Sequence, residues 1–80
     1  MRLPRDVSGR DLAKALQRIG YRQSRQVGSH IRLTRPDDPP DHVTVPDHTP
    51  VKLGTLNTIL KDVAARLGFS RDELLQRLFS

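Results

Sequence analysis

The stretch from Val27 to Thr34 reads Val-Gly-Ser-His-Ile-Arg-Leu-Thr, a glycine turn followed by a short alternating strand. Successive side chains of a strand point to opposite faces of its sheet. The alternation predicts one face with Val27, Ile31 and Leu33 and another with His30, Arg32 and Thr34. A histidine and an arginine on the open face of a sheet suit the handling of a phosphodiester.

The chain around this stretch is short, basic and free of cysteine. Its 80 residues predict a single domain over residues 1–80. Without cysteine, neither a disulfide framework nor a thiolate metal site is available. The formal net charge is +5, and eleven of the fourteen basic residues are arginine. This composition favours a polyanionic partner, above all nucleic acid; the arginine preference of a GC-rich genome is the alternative explanation.

Two features of the sequence bear on its location. No apolar run approaches the roughly 20 residues that are needed to span a bilayer. The polar N-terminus lacks the apolar core of a signal peptide. We therefore expect a cytoplasmic protein without membrane contact.

Three helices are predicted from apolar spacing and from capping residues. The first covers residues 9–19, with Ser8 as its N-cap and Gly20 as its stop. The second covers residues 54–67 and is closed by Gly68. A third, short amphipathic helix follows the capping box at residues 70–73.

Three short strands are predicted between the first two helices. Residues 21–26 are mostly polar, which is typical of an edge strand with a wet side. A turn at Val27-Gly28 leads into the strand of the opening stretch, residues 36–41 form a surface loop, and residues 42–46 alternate again. The order predicts an α+β two-layer sandwich, with the first two helices on one sheet face and the other face open.

Several motifs together resemble the HicA toxin family, the YcfA-like proteins. In chain order they are residues 2–9, residues 16–21, Arg25-Gln26-Val27-Gly28-Ser29-His30, Val43-Thr44-Val45-Pro46 with His48, and Leu53-Gly54-Thr55-Leu56 with Ile59-Leu60-Lys61. The resemblance extends over roughly residues 2–78. Gly-Ser-His alone is a weak motif, whereas its combination with the later ones in this order is fairly specific.

The resemblance implies a fold like that of a double-stranded RNA-binding domain. It implies the toxin of a type II toxin–antitoxin pair, an mRNA interferase that cleaves RNA without a metal or other cofactor. The implied partner is a HicB-type antitoxin that covers the catalytic histidine in a toxin–antitoxin hetero-oligomer. The family's catalytic histidine falls on His30.

The residues of the opening stretch suit that chemistry. RNA cleavage without a metal needs one group that removes the 2′-OH proton and another that protonates the leaving 5′ oxygen, and imidazole can do either. We hypothesise that His30 is the general base or acid and that the product is a 2′,3′-cyclic phosphate. Ser29 could donate a hydrogen bond to phosphate, and Gly28 would let the backbone approach the RNA. The cations expected to stabilise the phosphorane are Arg32, Arg25 and Arg22.

Three further residues have both a functional and an ordinary interpretation. His48, with Asp47 beside it, could be the second proton-transfer group or a solvated loop residue. His42 could join His30 on the open face if the strands are in register, but we expect it to flank the loop. The spacing of the three histidines disfavours a zinc site. Lys52, at the start of the second helix, could hold a backbone phosphate or be a solvated lysine.

Two other classes of function stay open. A non-catalytic double-stranded RNA-binding module would share the implied fold. Residues 62–70 and the helix after them resemble a helix-turn-helix, which would indicate DNA binding. Against DNA binding, Asp72 and Glu73 would repel phosphates at the start of a recognition helix. Leu74, Leu75 and Leu78 would instead pack the third helix onto the second.

Overall fold

A computed structural model describes residues 3–80. Arg2, with which the first family-like motif begins, lies outside the described residues. The elements follow in the order α1 (Gly9–Gln17), β1 (Arg22–Val27), β2 (His30–Arg35), β3 (Asp41–Pro46), α2 (Leu53–Leu67) and α3 (Arg71–Phe79). The three strands form one antiparallel sheet in the order β1-β2-β3. This architecture confirms the predicted α+β fold with a third, C-terminal helix.

The core lies between one face of the sheet and the helices. β2 and β3 contribute Ile31, Leu33, Val43 and Val45, all of which are buried. The helices contribute Leu12 and Leu16 from α1, Leu56, Leu60 and Val63 from α2, and Leu74, Leu75 and Leu78 from α3. All six residues of β1 are exposed, as predicted for a wet edge strand. The second sheet face therefore remains open.

The third helix packs against the other two helices. Its contacts within the fold are with α1 and α2, and Leu74, Leu75 and Leu78 are almost completely buried. Arg18 of α1 donates a hydrogen bond to the carbonyl of Leu78 (3.0 Å). This burial agrees with the packing role predicted for the three leucines. None of the helices in residues 3–80 is long and apolar enough to cross a membrane.

The predicted helix starts are confirmed in detail for α1 and α3. Ser8 and Asp11 form a reciprocal capping box at α1, in which the Asp11 amide donates to Ser8 Oγ (3.0 Å). Ser70 and Glu73 form the equivalent box at α3. Helix α1 ends at Gln17, two residues earlier than predicted, and the chain turns through Gly20 in a left-handed conformation (φ +101°).

The prediction for Val27 is wrong. We expected Val27 on the buried face with Ile31 and Leu33, but it is 58 % exposed and pairs with His30 at the end of β1. The turn consists of Gly28 and Ser29 rather than Val27 and Gly28. The reason is that alternation holds within a strand, whereas a hairpin turn resets which positions share a face.

A buried tyrosine ties the start of β1 to β3 and α2. Tyr21 is fully buried, and its hydroxyl donates to the Asp41 carboxylate. The other oxygen of that carboxylate accepts from Arg66 Nη1 (2.8 Å). Burial, followed by the hydrogen bond and the negative charge of Asp41, raises the pKa of Tyr21 far above its usual value. The hydroxyl therefore stays protonated and remains a donor.

Helix α1 approaches the end of β3 so closely that only glycine fits. A Cβ on Gly9 would lie 2.0 Å from the carbonyl oxygen of Pro46, and the Gly9 amide donates to the carbonyl of His48 (2.9 Å). This contact fixes the segment that follows β3. Pro46 is the cross-strand partner of His30. The contact with Gly9 therefore also holds in place the strand end that lies beside His30.

We expect Gly9→Ala to lower the free energy of unfolding by about 2 kcal/mol or more, because the added methyl group would collide with backbone that cannot move away. The matched control is Gly54→Ala in α2, where a Cβ meets no atom within 4 Å. There the better helix propensity of alanine should leave stability unchanged or raise it by up to about 1 kcal/mol. Denaturant unfolding of both variants measures the difference, and equal stabilities would contradict this account of the α1–β3 contact.

Candidate functional site

The pairing register places the polar residues of all three strands on one face of the sheet. Residues that pair directly across strands point to the same face. Three rows result: Val27, His30 and Pro46; Arg25, Arg32 and Thr44; Arg22, Thr34 and His42. We call the face formed by these nine residues and Ser24 the open face. It contains no acidic side chain.

A β-bulge brings Arg22 and Arg25 onto the same face. The register shifts between Gln23 and Arg25, so that Ser24 is the extra residue of β1. Strict alternation would have placed Arg22 and Arg25 on opposite faces. Local sequence gave no sign of the bulge, because β1 has no apolar alternation from which a phase could be read. The bulge thus gathers the three arginines that were predicted as phosphate ligands.

His30 stands at the edge of the open face, immediately after the hairpin turn. It is exposed and lies between Val27 and Pro46, its partners on the neighbouring strands. The turn is fixed by Gly28, whose φ of +56° favours glycine, and by the Asp47 amide, which donates to the carbonyl of Ser29 (2.7 Å). The position of His30 is therefore set by the backbone on both sides.

The two turn residues are open to the surroundings. A Cβ built on Gly28 would meet no atom within 4 Å, so the glycine serves the turn conformation rather than a close contact inside the protein. The side chain of Ser29 is exposed, and its hydroxyl makes no hydrogen bond to residues 3–80. Both residues are accessible to a ligand that approaches His30.

The arginines of the open face lack partners, whereas most other arginines have them. Six arginines are engaged: Arg10 by Asp47, Arg18 by the Leu78 carbonyl, Arg35 by Asp37, Arg66 by Asp41, Arg71 by Asn57, and Arg77 by the Phe69 ring. Among the described residues, the arginines without a partner are Arg5, Arg22, Arg25 and Arg32. Three of these four lie on the open face. Their charge is therefore available to an anionic ligand.

The three histidines are spread out rather than clustered. His48 lies two residues beyond Pro46, about 7 Å further along the chain, and its side chain is exposed. The Asp47 carboxylate accepts from Arg10 (3.4 Å) and Gln26 (3.1 Å) and makes no described contact with His48. In residues 3–80 no group of three or more His, Asp or Glu side chains could hold a metal ion.

His42 lies on the open face and does not flank the loop, which corrects the interpretation favoured by sequence. It belongs to β3 and pairs with Thr34, four residues beyond His30 on β2. Four residues of strand correspond to about 13 Å, so His42 lies two rows away from His30 on the open face. Sequence alone did not identify Thr34 as the cross-strand partner of His42, because the pairing of β2 with β3 depends on register.

Lys52 is not part of the open face. It is the N-cap residue of α2, is exposed, and makes no capping hydrogen bond with its side chain. Any phosphate that it holds would lie at the start of α2, outside the strand rows that contain His30.

A family model matches most of the described chain. The model of the HicA toxin of bacterial toxin–antitoxin systems matches residues 9–64, from α1 through the sheet and into α2. The match defines the class of protein as a toxin that forms a pair with an antitoxin. The chain belongs to the HicA toxin family. No curated protein and no solved structure matched the chain, and α3 lies beyond the matched residues.

The unpaired arginines should reduce the stability of the free protein. Arg25 and Arg32 are direct cross-strand partners, and like charges in that position are destabilising. We expect Arg25→Gln to raise the free energy of unfolding by about 0.2–1 kcal/mol at low ionic strength, with the gain shrinking as salt is added. The control is Arg22→Gln, opposite the uncharged Thr34, which should change little. Urea unfolding at several salt concentrations measures both variants. A gain that does not depend on salt, or an equal gain for both variants, would contradict the claim that repulsion between Arg25 and Arg32 destabilises the free protein.

Proposed function

We propose that the protein is an mRNA interferase, a metal-independent endoribonuclease that acts as the toxin of a type II toxin–antitoxin pair. The observation that carries the proposal is the open face itself. In a member of the HicA family, an exposed histidine shares an acid-free sheet face with three unpartnered arginines. The complement of such a face is the sugar–phosphate backbone of RNA.

The reaction is transesterification inside the RNA strand. The 2′ oxygen attacks the adjacent phosphorus as its proton is removed, and the bond to the 5′ oxygen breaks as that oxygen is protonated. The products are a 2′,3′-cyclic phosphate and a 5′-hydroxyl end. His30 performs one of the two proton transfers as general base or acid, since imidazole exchanges a proton near neutral pH.

The arginines stabilise the charge that develops on the phosphorane. Arg32 is two residues from His30 on the same face, about 7 Å along β2, and Arg25 stands directly across from Arg32. Both guanidinium groups can therefore reach the non-bridging oxygens of a phosphate at His30. Arg22, in the next row, contacts a neighbouring phosphate. The exposed Ser29 hydroxyl donates to the bound phosphate, and Gly28 leaves room for it.

His48 is the proposed second proton-transfer group. Of the other two histidines it is the nearer to His30, because Pro46 pairs with His30 and His48 follows two residues later. The backbone of His48 is held by the Gly9 amide, while its side chain is free to meet the RNA. Lys52 holds a more distant phosphate at the start of α2.

The partner proposed for the free protein is a HicB-type antitoxin in a hetero-oligomer in the cytoplasm. The row that contains His30 offers a protein partner an apolar rim. Val27 is 58 % exposed on one side of the histidine, and Pro46 is half-buried on the other. A partner that packed on this rim would cover His30 and exclude RNA from it.

We expect His30→Ala to lower the rate of RNA cleavage by about 10²-fold or more, because one proton transfer loses its catalyst. The assay is single-turnover cleavage in EDTA, with analysis of the RNA ends for a 2′,3′-cyclic phosphate. The variant should bind RNA as tightly as the wild type. Undiminished cleavage in the variant would refute the assignment, and RNA that is bound intact by the wild-type protein would identify a non-catalytic RNA-binding module instead.

We expect His48→Ala to lower the same single-turnover rate at least about tenfold while RNA binding stays the same, because only proton transfer is removed. Thermal melting checks that the loop is undisturbed, since the contact with Gly9 uses the backbone of His48 rather than its side chain. A fully active variant would show that His48 is an ordinary solvated residue.

We expect Arg32→Gln to weaken RNA binding and to reduce the slope of log K against log salt concentration by about 0.7–0.9, the contribution of one phosphate contact. Arg71→Gln is the matched control, because Arg71 lies on α3 and donates to Asn57. Fluorescence anisotropy over a salt series gives both slopes. Equal slopes for Arg32→Gln and the wild type would exclude Arg32 as a phosphate ligand.

A further inference from the structure

A row of hydrogen bonds crosses the open face at the end far from His30. It begins at His42 on β3, whose Nδ1 lies 3.0 Å from Thr34 Oγ1 on β2. Thr34 Oγ1 donates to Ser24 Oγ (3.0 Å), the extra residue of the bulge in β1. Ser24 Oγ in turn donates to the backbone carbonyl of Arg32 (3.2 Å). The row thus ends at a group that can only accept.

The final acceptor fixes the direction of every hydrogen bond in the row. Each hydroxyl has one proton to donate. Ser24 uses its proton on the carbonyl, so its oxygen accepts the proton of Thr34. The Thr34 oxygen must then accept from His42. A neutral His42 therefore carries its proton on Nδ1 and presents the lone pair of Nε2.

The Nε2 side of His42 is available to a ligand. The side chain is exposed, and within residues 3–80 its one described hydrogen bond is the one to Thr34. The neighbouring charged groups are engaged elsewhere or make no bond to the imidazole. Arg66 donates to the His42 carbonyl and to Asp41. Asp62 lines the same surface depression as His42. Arg22 is the cross-strand partner of Thr34 and is separated from His42 by that residue.

An unprotonated ring nitrogen selects a hydrogen-bond donor. The phosphate oxygens of a nucleic acid are acceptors only, whereas the ribose 2′-hydroxyl of RNA is a donor that DNA lacks. His42 lies about 13 Å from His30 along the strands, with Arg32 and Arg25 between them. It would therefore meet a nucleotide other than the one that is cleaved.

We propose that His42 is a specificity-determining residue, whose Nε2 accepts a hydrogen bond from the 2′-hydroxyl of a nucleotide bound away from the cleavage position. Thr34 and Ser24 are positioning residues that hold the imidazole in the required tautomer. The proposal rests on the proposed function, since it assumes that RNA lies on the open face. It adds a second point at which that face distinguishes RNA from DNA, independent of the 2′-hydroxyl consumed in the reaction.

The tautomer can be tested without any RNA. Imidazole ¹⁵N NMR at pH 8 should show the His42 proton on Nδ1 in the wild-type protein. Thr34→Val keeps the shape of the side chain and removes the hydroxyl, so the signals should move toward the other tautomer while those of His48 stay unchanged. A wild-type His42 that carries its proton on Nε2 would overturn the proposal.

The discrimination is tested by binding in the His30→Ala background, with EDTA, so that the RNA stays intact. The probes are an RNA oligonucleotide and the DNA of the same sequence, each labelled for anisotropy at pH 8. His42→Asn keeps an amide that can donate to Thr34 but removes the atom in the Nε2 position. We expect it to weaken RNA binding about three- to tenfold, the effect of one hydrogen bond, and to leave DNA binding unchanged.

Arg32→Gln is the control in this experiment, because a lost phosphate contact should weaken RNA and DNA binding by the same factor. An equal loss for RNA and DNA in His42→Asn, or no loss for either, would overturn the proposal for His42. Neither result depends on cleavage. If the wild-type protein did not cleave RNA, that result would count against the ribonuclease function. The ratio of RNA affinity to DNA affinity could still be measured and would still test the proposal for His42.

Discussion

The open face depends on the pairing register between β1 and β2. The two-residue turn at Gly28 and Ser29 sets that register at one end, and the bulge at Ser24 changes its phase further along. The burial of Ile31 and Leu33 decides that His30 and Arg32 point away from the helices, and the register of β1 decides that Arg22 and Arg25 join them on that face. A shift of one residue would exchange the two faces of β1 and turn both arginines toward the helices.

The rest of the structure holds this register in place from the other side of the sheet. Ile31 and Leu33 anchor β2 in the core, although β1 itself contributes no buried residue. β3 is fixed at both ends, by Tyr21 and Arg66 on Asp41 and by the close approach of Gly9 to Pro46. The helical layer therefore supports the sheet from one side, and the functional groups stand on the open face, where the like charges of Arg25 and Arg32 are expected to destabilise the free protein.

The sequence was sufficient for features that depend on local spacing. The helical stripes, the capping boxes and the alternation of Ile31 and Leu33 predicted the elements and the open face, and the motif order predicted the family that the comparison confirmed. It was insufficient where residues distant in the chain meet. The face of Val27, the pairing of His42 with Thr34 and the bulge at Ser24 depend on cross-strand register, which no local pattern records. The roles of His30, His48 and the arginines remain predictions.

The most direct test of the account is to locate RNA on the molecule. Amide and side-chain NMR signals of the His30→Ala protein should be followed during titration with a short RNA in EDTA. The account predicts the largest changes on the open face, at Arg25, Arg32, Thr44 and the Gly28-Ser29 turn, with little change at Lys14 and Lys61 on the helices. Changes concentrated on α2 and α3, with an undisturbed sheet face, would contradict it.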